Sequence, residues 1–150
     1  MVWHRLFPWL LAHSAESPRR GGWLTGWLGN AGERKAGRYL RGQGFRILAR
    51  GHRTPLGEID LIALDGPTVV FVEVKTRRTS EAGQPFEAVD RLKQQQLTKL
   101  ALAYLKRRGW LERPARFDVV SIVWNESGKA PEITHYRNAF EAFGRGQLYS

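Results

Sequence analysis

Two apolar runs interrupted by charge constrain this chain more than anything else in it. Gly57-Glu58-Ile59-Asp60-Leu61-Ile62-Ala63 and Val72-Glu73-Val74-Lys75-Thr76-Arg77 read as buried β-strand, yet each carries acid, the second with a lysine two residues on. Charge without a partner is costly in such a place, so charges kept there are expected to act together. Side chains alternate faces along a strand, which sets Glu73 and Lys75 on one face and Val72 and Val74 on the other. Asp65-Gly66, between the runs, is a hairpin signal. Taken as the two central residues of the turn, it pairs Leu64 with Pro67 and Asp60 with Phe71. Cross-strand partners share a face, so Asp60 joins Glu73 and Lys75 there, and Glu58 falls on the same face and could substitute for a ligand.

Two carboxylates this close repel, and a hard divalent cation resolves the repulsion. Magnesium prefers oxygen ligands and keeps waters for phosphate chemistry, which points to hydrolysis of a phosphodiester. Asp60 and Glu73 are the expected ligands, with the backbone carbonyl of Val74 as a further one. Lys75 would orient an attacking water or neutralise charge building on the phosphate. Glu33 fits as a third acid, early in a helix whose Ala36, Gly37 and Leu40 side is small and apolar and is expected to pack on the sheet. The helix dipole alone also favours an acid at that position, and the sequence does not choose between the two. For Asp60, Glu73 and Lys75 the plainer alternative is an ion-paired patch on a half-exposed sheet. The position of Glu73-Val74-Lys75 directly after Val69-Val70-Phe71-Val72, with an acid on the neighbouring strand, favours a site.

Charge points the same way. Lys and Arg number 24 against 14 acids, a formal charge of +10 and a pI near 10.7, which suits a polyanion: nucleic acid first, an anionic membrane surface second. A solvated basic surface is the plainer reading. Cysteine is absent, which excludes disulfides, thiolate catalysis and Cys-ligated metal, and the four histidines show no zinc-site spacing. No run reaches the roughly 20 apolar residues that span a bilayer. The first residues resemble a signal peptide only faintly, their apolar run being broken by Pro8. The expectation is a cytoplasmic protein without integral membrane association, with residues 1 to 27 a flexible or loosely docked extension carrying Trp3, Trp9, Trp23 and Trp27.

The 150 residues are enough for one domain with a real core. A helix is expected over Ala31–Leu40, capped by Asn30 and stopped by Gly42 and Gly44. Strands follow at Phe45–Ala49, Glu58–Leu64 and Thr68–Thr76, with a basic turn over Gly51–Gly57 and a polar loop from Arg77 to Pro85. A helix over Phe86–Arg108 stops at Gly109. A strand at Arg116–Trp124, a short edge strand at Glu132–Tyr136 and a closing helix or turn at Asn138–Phe143 complete the chain. The order α-β-β-β-α-β-β describes an α/β fold, a mixed central sheet flanked by helices.

These residues resemble the PD-(D/E)XK nuclease superfamily, whose restriction-endonuclease-like core has this element order. More narrowly, Gly29-Asn30-Ala31-Gly32-Glu33, Gly57 to Ala63, Phe71 to Arg77, Ala88-Val89 with Lys93, and Phe117-Asp118-Val119-Val120 resemble the bacterial YraN-like family, itself similar to archaeal Holliday-junction resolvases. The likeness covers roughly residues 29 to 143 and makes residues 28 to 150 a nuclease-like domain. It implies Glu33, Asp60, Glu73 and Lys75 as the active set, with Mg2+ or Mn2+ as cofactor. It also implies in-line attack that leaves a 5′-phosphate and a 3′-hydroxyl. Ile59 stands where the proline of the superfamily name would be. The expected substrate is structured or branched DNA, with Arg34, Lys35, Arg50, Arg53, Arg77, Arg78 and Lys93 as phosphate contacts. No aromatic ladder or recognition helix suggests base readout, which leaves recognition to shape and backbone. A resolvase needs two active sites and hence a homodimer. The alternatives are a nucleic-acid-binding module without turnover, and a protein-interaction or membrane-peripheral role built on the tryptophan extension. Metal-independent binding that ignores Asp60→Ala marks the first, and loss of a partner on deleting residues 1 to 27 marks the second.

Overall fold

The computed structural model describes residues 23–78 and 89–143. In chain order they form α1 (Trp23–Gly42), β1 (Arg46–Thr54), β2 (Gly57–Asp65), β3 (Thr68–Arg78), α2 (Arg91–Arg108), β4 (Ala115–Trp124) and β5 (Glu132–Phe140), the expected order. The strands make one sheet, β1-β2-β3-β4-β5. Only β3 and β4 run parallel; every other neighbouring pair is antiparallel. A parallel pair needs a crossover connection, and α2 lies in it.

The two helices cover opposite faces, because apolar residues alternate along the central strands. Ala36 and Leu40 of α1 pack with Leu61, Ala63, Val70, Val72, Val120 and Ile122. Leu97, Leu100, Ala101 and Leu105 of α2 pack on the other face with Ile62, Phe71, Phe117 and Val119. The side of α1 that carries Ala36 and Leu40 thus faces the sheet as expected. It comes in very close: a Cβ at Gly32 would overlap the Thr76 hydroxyl of β3. Gly109 ends α2 as expected, with its N–H donating to Lys106 O (3.1 Å) and that of Trp110 to Leu105 O (2.8 Å).

Several boundaries differ from the sequence expectation. α1 starts at Trp23, so Asn30 lies inside the helix and does not cap it. Most of the tryptophan extension falls outside the described residues, as do residues 79–88. Strand β1 continues through Gly51 to Thr54, which pairs with Gly57 and narrows the basic turn to Pro55-Leu56. Strand β3 takes in Arg77 and Arg78, which were expected in a loop. Helix α2 begins at Arg91, not Phe86, because Asp90 caps it by accepting from the Lys93 N–H at 2.8 Å. Asn138-Ala139-Phe140 belongs to β5, so the closing helix over Asn138–Phe143 is not formed. A register shift between Phe117 and Val119, with Asn138 at φ 50°, lets the strand continue past a bulge.

The β2–β3 turn is also displaced. Asp65 pairs with Thr68 and Leu64 with Val69, so Gly66-Pro67 are the central residues, not Asp65-Gly66. Proline has no N–H to give a ladder, and Gly66, at φ 58°, suits the first central position of a II′ turn. The register moves by two residues, which preserves every face: Ile62 lies opposite Phe71, and the same register carried onward sets Asp60 level with Glu73.

Candidate metal centre

The β2–β3 ladder ends at Leu61–Val72. From there β2 stays with β1 as far as Gly57, while β3 stays with β4 as far as Arg78. The parting leaves the Val74 N–H without a strand partner on that side, and the Asp60 carboxylate takes its place: Val74 N donates to Asp60 Oδ2 at 2.8 Å. The N–H and C=O of one strand residue lean to the same side, so the Val74 carbonyl also opens toward this gap.

Acids collect at the parting. One carboxylate oxygen each from Glu33, Glu58 and Asp60 lies within 4.8 Å of the others. Glu33 arrives from α1, held at its depth by the close contact of Gly32 with Thr76. Glu33 is thereby turned toward the Glu58 and Asp60 carboxylates. Glu73 sits beside them, only 7% exposed. Its Oε1 is 3.9 Å from Lys75 Nζ and 3.7 Å from Lys93 Nζ, and its Oε2 is buried with no hydrogen-bond partner among the described residues. Lys93 comes from the first turn of α2, on the opposite face of the sheet from α1. The gap between β2 and β3 thus gathers side chains from both faces into one cleft.

Titration follows from this crowding. Burial first, then the neighbouring Glu58 carboxylate, pushes the Glu33 carboxyl above its ordinary value, with Arg50 and Arg53 opposing. Asp60 is pushed well above its own, again by burial first and then by Glu73; the Val74 N–H and Lys93 only partly compensate. Four acids held together with an orphaned buried oxygen form a set that a hard, oxygen-seeking cation fits.

The expected phosphate contacts divide into four groups. Lys93 stands in the acid cluster beside Lys75. Arg53 pairs with Glu58 (Nε to Oε2, 2.9 Å), and Arg50 and Arg53 both act on Glu33. Lys35 lies over the Trp124 ring, 5.9 Å from its centroid, and Arg78 pairs with Trp124 across β3 and β4, with Arg77 next to it. Arg34 lines a separate cavity with Arg50. Glu58 was legible as a member of this face that could substitute for a ligand. Its alternation with Asp60, two residues away on one strand, was the available signal.

The fold and this cluster define an α/β protein with an acidic, lysine-flanked cleft where its sheet parts. Residues 32–122 match the profile of an uncharacterised protein family, UPF0102. The chain is 47% identical over 114 residues to a UPF0102 protein of Geotalea uraniireducens, covering 76% of this chain and 89% of that one. It is 51% identical over 114 residues to one of Geobacter sulfurreducens (76% and 88%) and 45% identical over 113 to one of Alkaliphilus metalliredigens (75% and 96%). The chain belongs to the UPF0102 family, the YraN-like family that its motifs resemble. Among the described residues no helix is long and apolar enough to cross a membrane.

Proposed function

We propose that this protein is a metal-dependent phosphodiesterase of the PD-(D/E)XK type that cuts structured or branched DNA. The observation that carries the reading is the convergence of the Glu33, Glu58 and Asp60 oxygens within 4.8 Å at the strand parting. The unpartnered Oε2 of Glu73 supports it, because buried carboxylate oxygens are ordinarily satisfied. Glu33, Glu58, Asp60 and Glu73 would hold Mg2+ or Mn2+, with the Val74 carbonyl as a backbone ligand. When bound, the ion would activate a water and offset the charge that builds on the phosphate.

The rest falls to the chain itself. The Val74 N–H fixes one Asp60 oxygen, leaving the other to face the cleft. Lys75 and Lys93 share Glu73 Oε1, so either ammonium can turn to a phosphate oxygen while the other keeps the pair. That arrangement positions donors where negative charge develops. Arg50 and Arg53, at the rim, suit the flanking phosphates.

The test is cleavage of a panel of labelled DNA duplexes, flaps and junctions with Mg2+, Mn2+ or EDTA, for wild type, Asp60→Ala and Lys75→Ala. Metal-dependent cutting is expected, with each substitution lowering the rate by at least about 100-fold. Binding without cutting, equal in all three proteins, would remove the catalytic reading and leave a nucleic-acid-binding module.

A further inference from the structure

A cavity of about 270 Å3 lies between α1 and β1, the edge strand of the sheet, and three guanidinium groups border it: Arg34, Arg41 and Arg50. Its remaining lining among the described residues is Gly37, Ile47, Leu48, Ala49 and Leu61, none of them acidic. Neither Arg34 nor Arg41 forms an ion pair among the described residues. Two features of the sequence open the space. Gly37 presents no side chain on the helix wall. On the strand wall, the β1–β2 register shifts between Ile47 and Ala49, leaving Leu48 outside the pairing. An extra residue in an edge strand leaves backbone polar groups unpaired, here in the wall of a cationic pocket. Three positive charges around one cavity favour an anion there.

The cavity adjoins the acid cleft. Arg34 follows Glu33 in the chain, and Arg50 acts on the Glu33 carboxyl. A Cβ at Gly51, the next residue of β1, would lie 3.5 Å from Glu58 Oε1. Arg41 stands eight residues beyond Glu33, about 12 Å along the helix at 1.5 Å per residue. One strand of a nucleic acid rises about 3.4 Å per nucleotide, so the far end of the pocket is roughly three nucleotides from the acids.

We propose that Arg34, Arg41 and Arg50 form a second phosphate site, which grips the backbone of the bound strand about three nucleotides from the bond held at the acid cleft. The proposal rests on the nucleic-acid reading above and adds to it a direction: the strand leaves the cleft along the exposed edge of the sheet. Guanidinium groups suit a backbone phosphate because they can donate two hydrogen bonds at once. Such contacts set register without reading sequence.

The test is equilibrium binding of a labelled oligonucleotide in EDTA across a range of salt. Wild type is compared with Arg41→Gln, Arg50→Gln and, as a control for lost charge, Arg108→Gln, whose guanidinium stacks on Tyr104 and Trp110 at 5.2 Å. Arg41→Gln and Arg50→Gln are each expected to reduce the slope of log K against log salt by about 1, while Arg108→Gln leaves it unchanged. A wild type that binds, with Arg41→Gln and Arg50→Gln keeping its slope, overturns the pocket and leaves the function reading standing. A wild type that does not bind overturns both. Thermal shifts with inorganic phosphate, against chloride of matched ionic strength, separate the source of the anion. Stabilisation by phosphate that Arg41→Gln abolishes, with the DNA slope intact, would assign the pocket to a free anion and overturn the strand site.

Discussion

Asp118 and Glu73 are both buried acids, and their surroundings give them opposite characters. Asp118 is fully buried and amply met: Arg116 donates from Nε (2.9 Å) and Nη2 (3.2 Å), the Asn138 N–H donates at 2.9 Å, and His135 Nε2 lies at 2.8 Å. Burial alone would raise its pKa, but the bonds from His135, Arg116 and Asn138 outweigh that and bring it below the ordinary 3.8. Glu73 has two lysines on one oxygen and nothing on the other. The first acid is saturated and holds structure together; the second retains capacity for a ligand. A depressed native pKa contributes stability that is present above the unfolded pKa and is lost as pH falls through the native one. Asp118→Asn is therefore expected to cost about 3 kcal/mol in urea unfolding at pH 7, since it leaves buried partners uncompensated. The gap from wild type should close as the pH is taken below 3.8. A gap of the same size at both ends of that range would show that packing, not charge, is what the substitution removes.

Among the elements, α1 is the one whose placement decides whether there is a site at all, and it is placed by a residue with no side chain. The Thr76 hydroxyl occupies the space that a Cβ on Gly32 would need, and Glu33 is the next residue. Gly32→Ala is expected to push α1 off β3 at a cost of about 1–3 kcal/mol and to weaken cation binding, read by Mn2+ titration. Adding Thr76→Ala removes the hydroxyl and should restore most of both; if the double variant is no better than the single, the contact does not set the depth of Glu33. What the sequence makes legible has the same logic. Alternation along β2 and β3 put Asp60, Glu73 and Lys75 on one face even though the turn was misplaced, because a slip of two residues preserves parity. The small apolar side of α1 predicted its packing on the sheet, with an inward Glu33 as one of two readings left open. What was hidden depends on contacts distant in sequence. Lys93 was expected among the phosphate contacts but not beside Glu73; only the start of α2 at Asp90, set against the end of β3, brings it there. The reach of β5 to Phe140 rests on Asn138 donating to Asp118 from 20 residues away, and no local pattern announces that. The upstream start of α1 is not signalled either, because Asn30 is as good a cap as many that do begin helices.

At the scale of the whole molecule the chain carries a formal charge of +10, yet four of its 14 acids meet at one cleft. Under the proposed function a polyanion would be drawn to the surface and repelled from the cleft proposed to cut it. A divalent cation in the cleft reverses that local sign, so metal and nucleic acid should each strengthen the binding of the other by the same factor. The acids alone should then be a liability for binding. Removing one such charge is worth about 1 kcal/mol even at water-like screening, about fivefold in Kd. Glu33→Gln is accordingly expected to bind a labelled DNA junction about fivefold more tightly than wild type in EDTA, measured by fluorescence anisotropy at low salt. With Ca2+, a hard oxygen-seeking ion, wild type should gain more than the variant, because the variant has lost a ligand for it. The order of the two proteins would thus narrow or invert when the ion is added. If Glu33→Gln binds no more tightly in EDTA, the acid cleft does not face the bound strand, and the path along Arg50 and Arg53 must lead elsewhere.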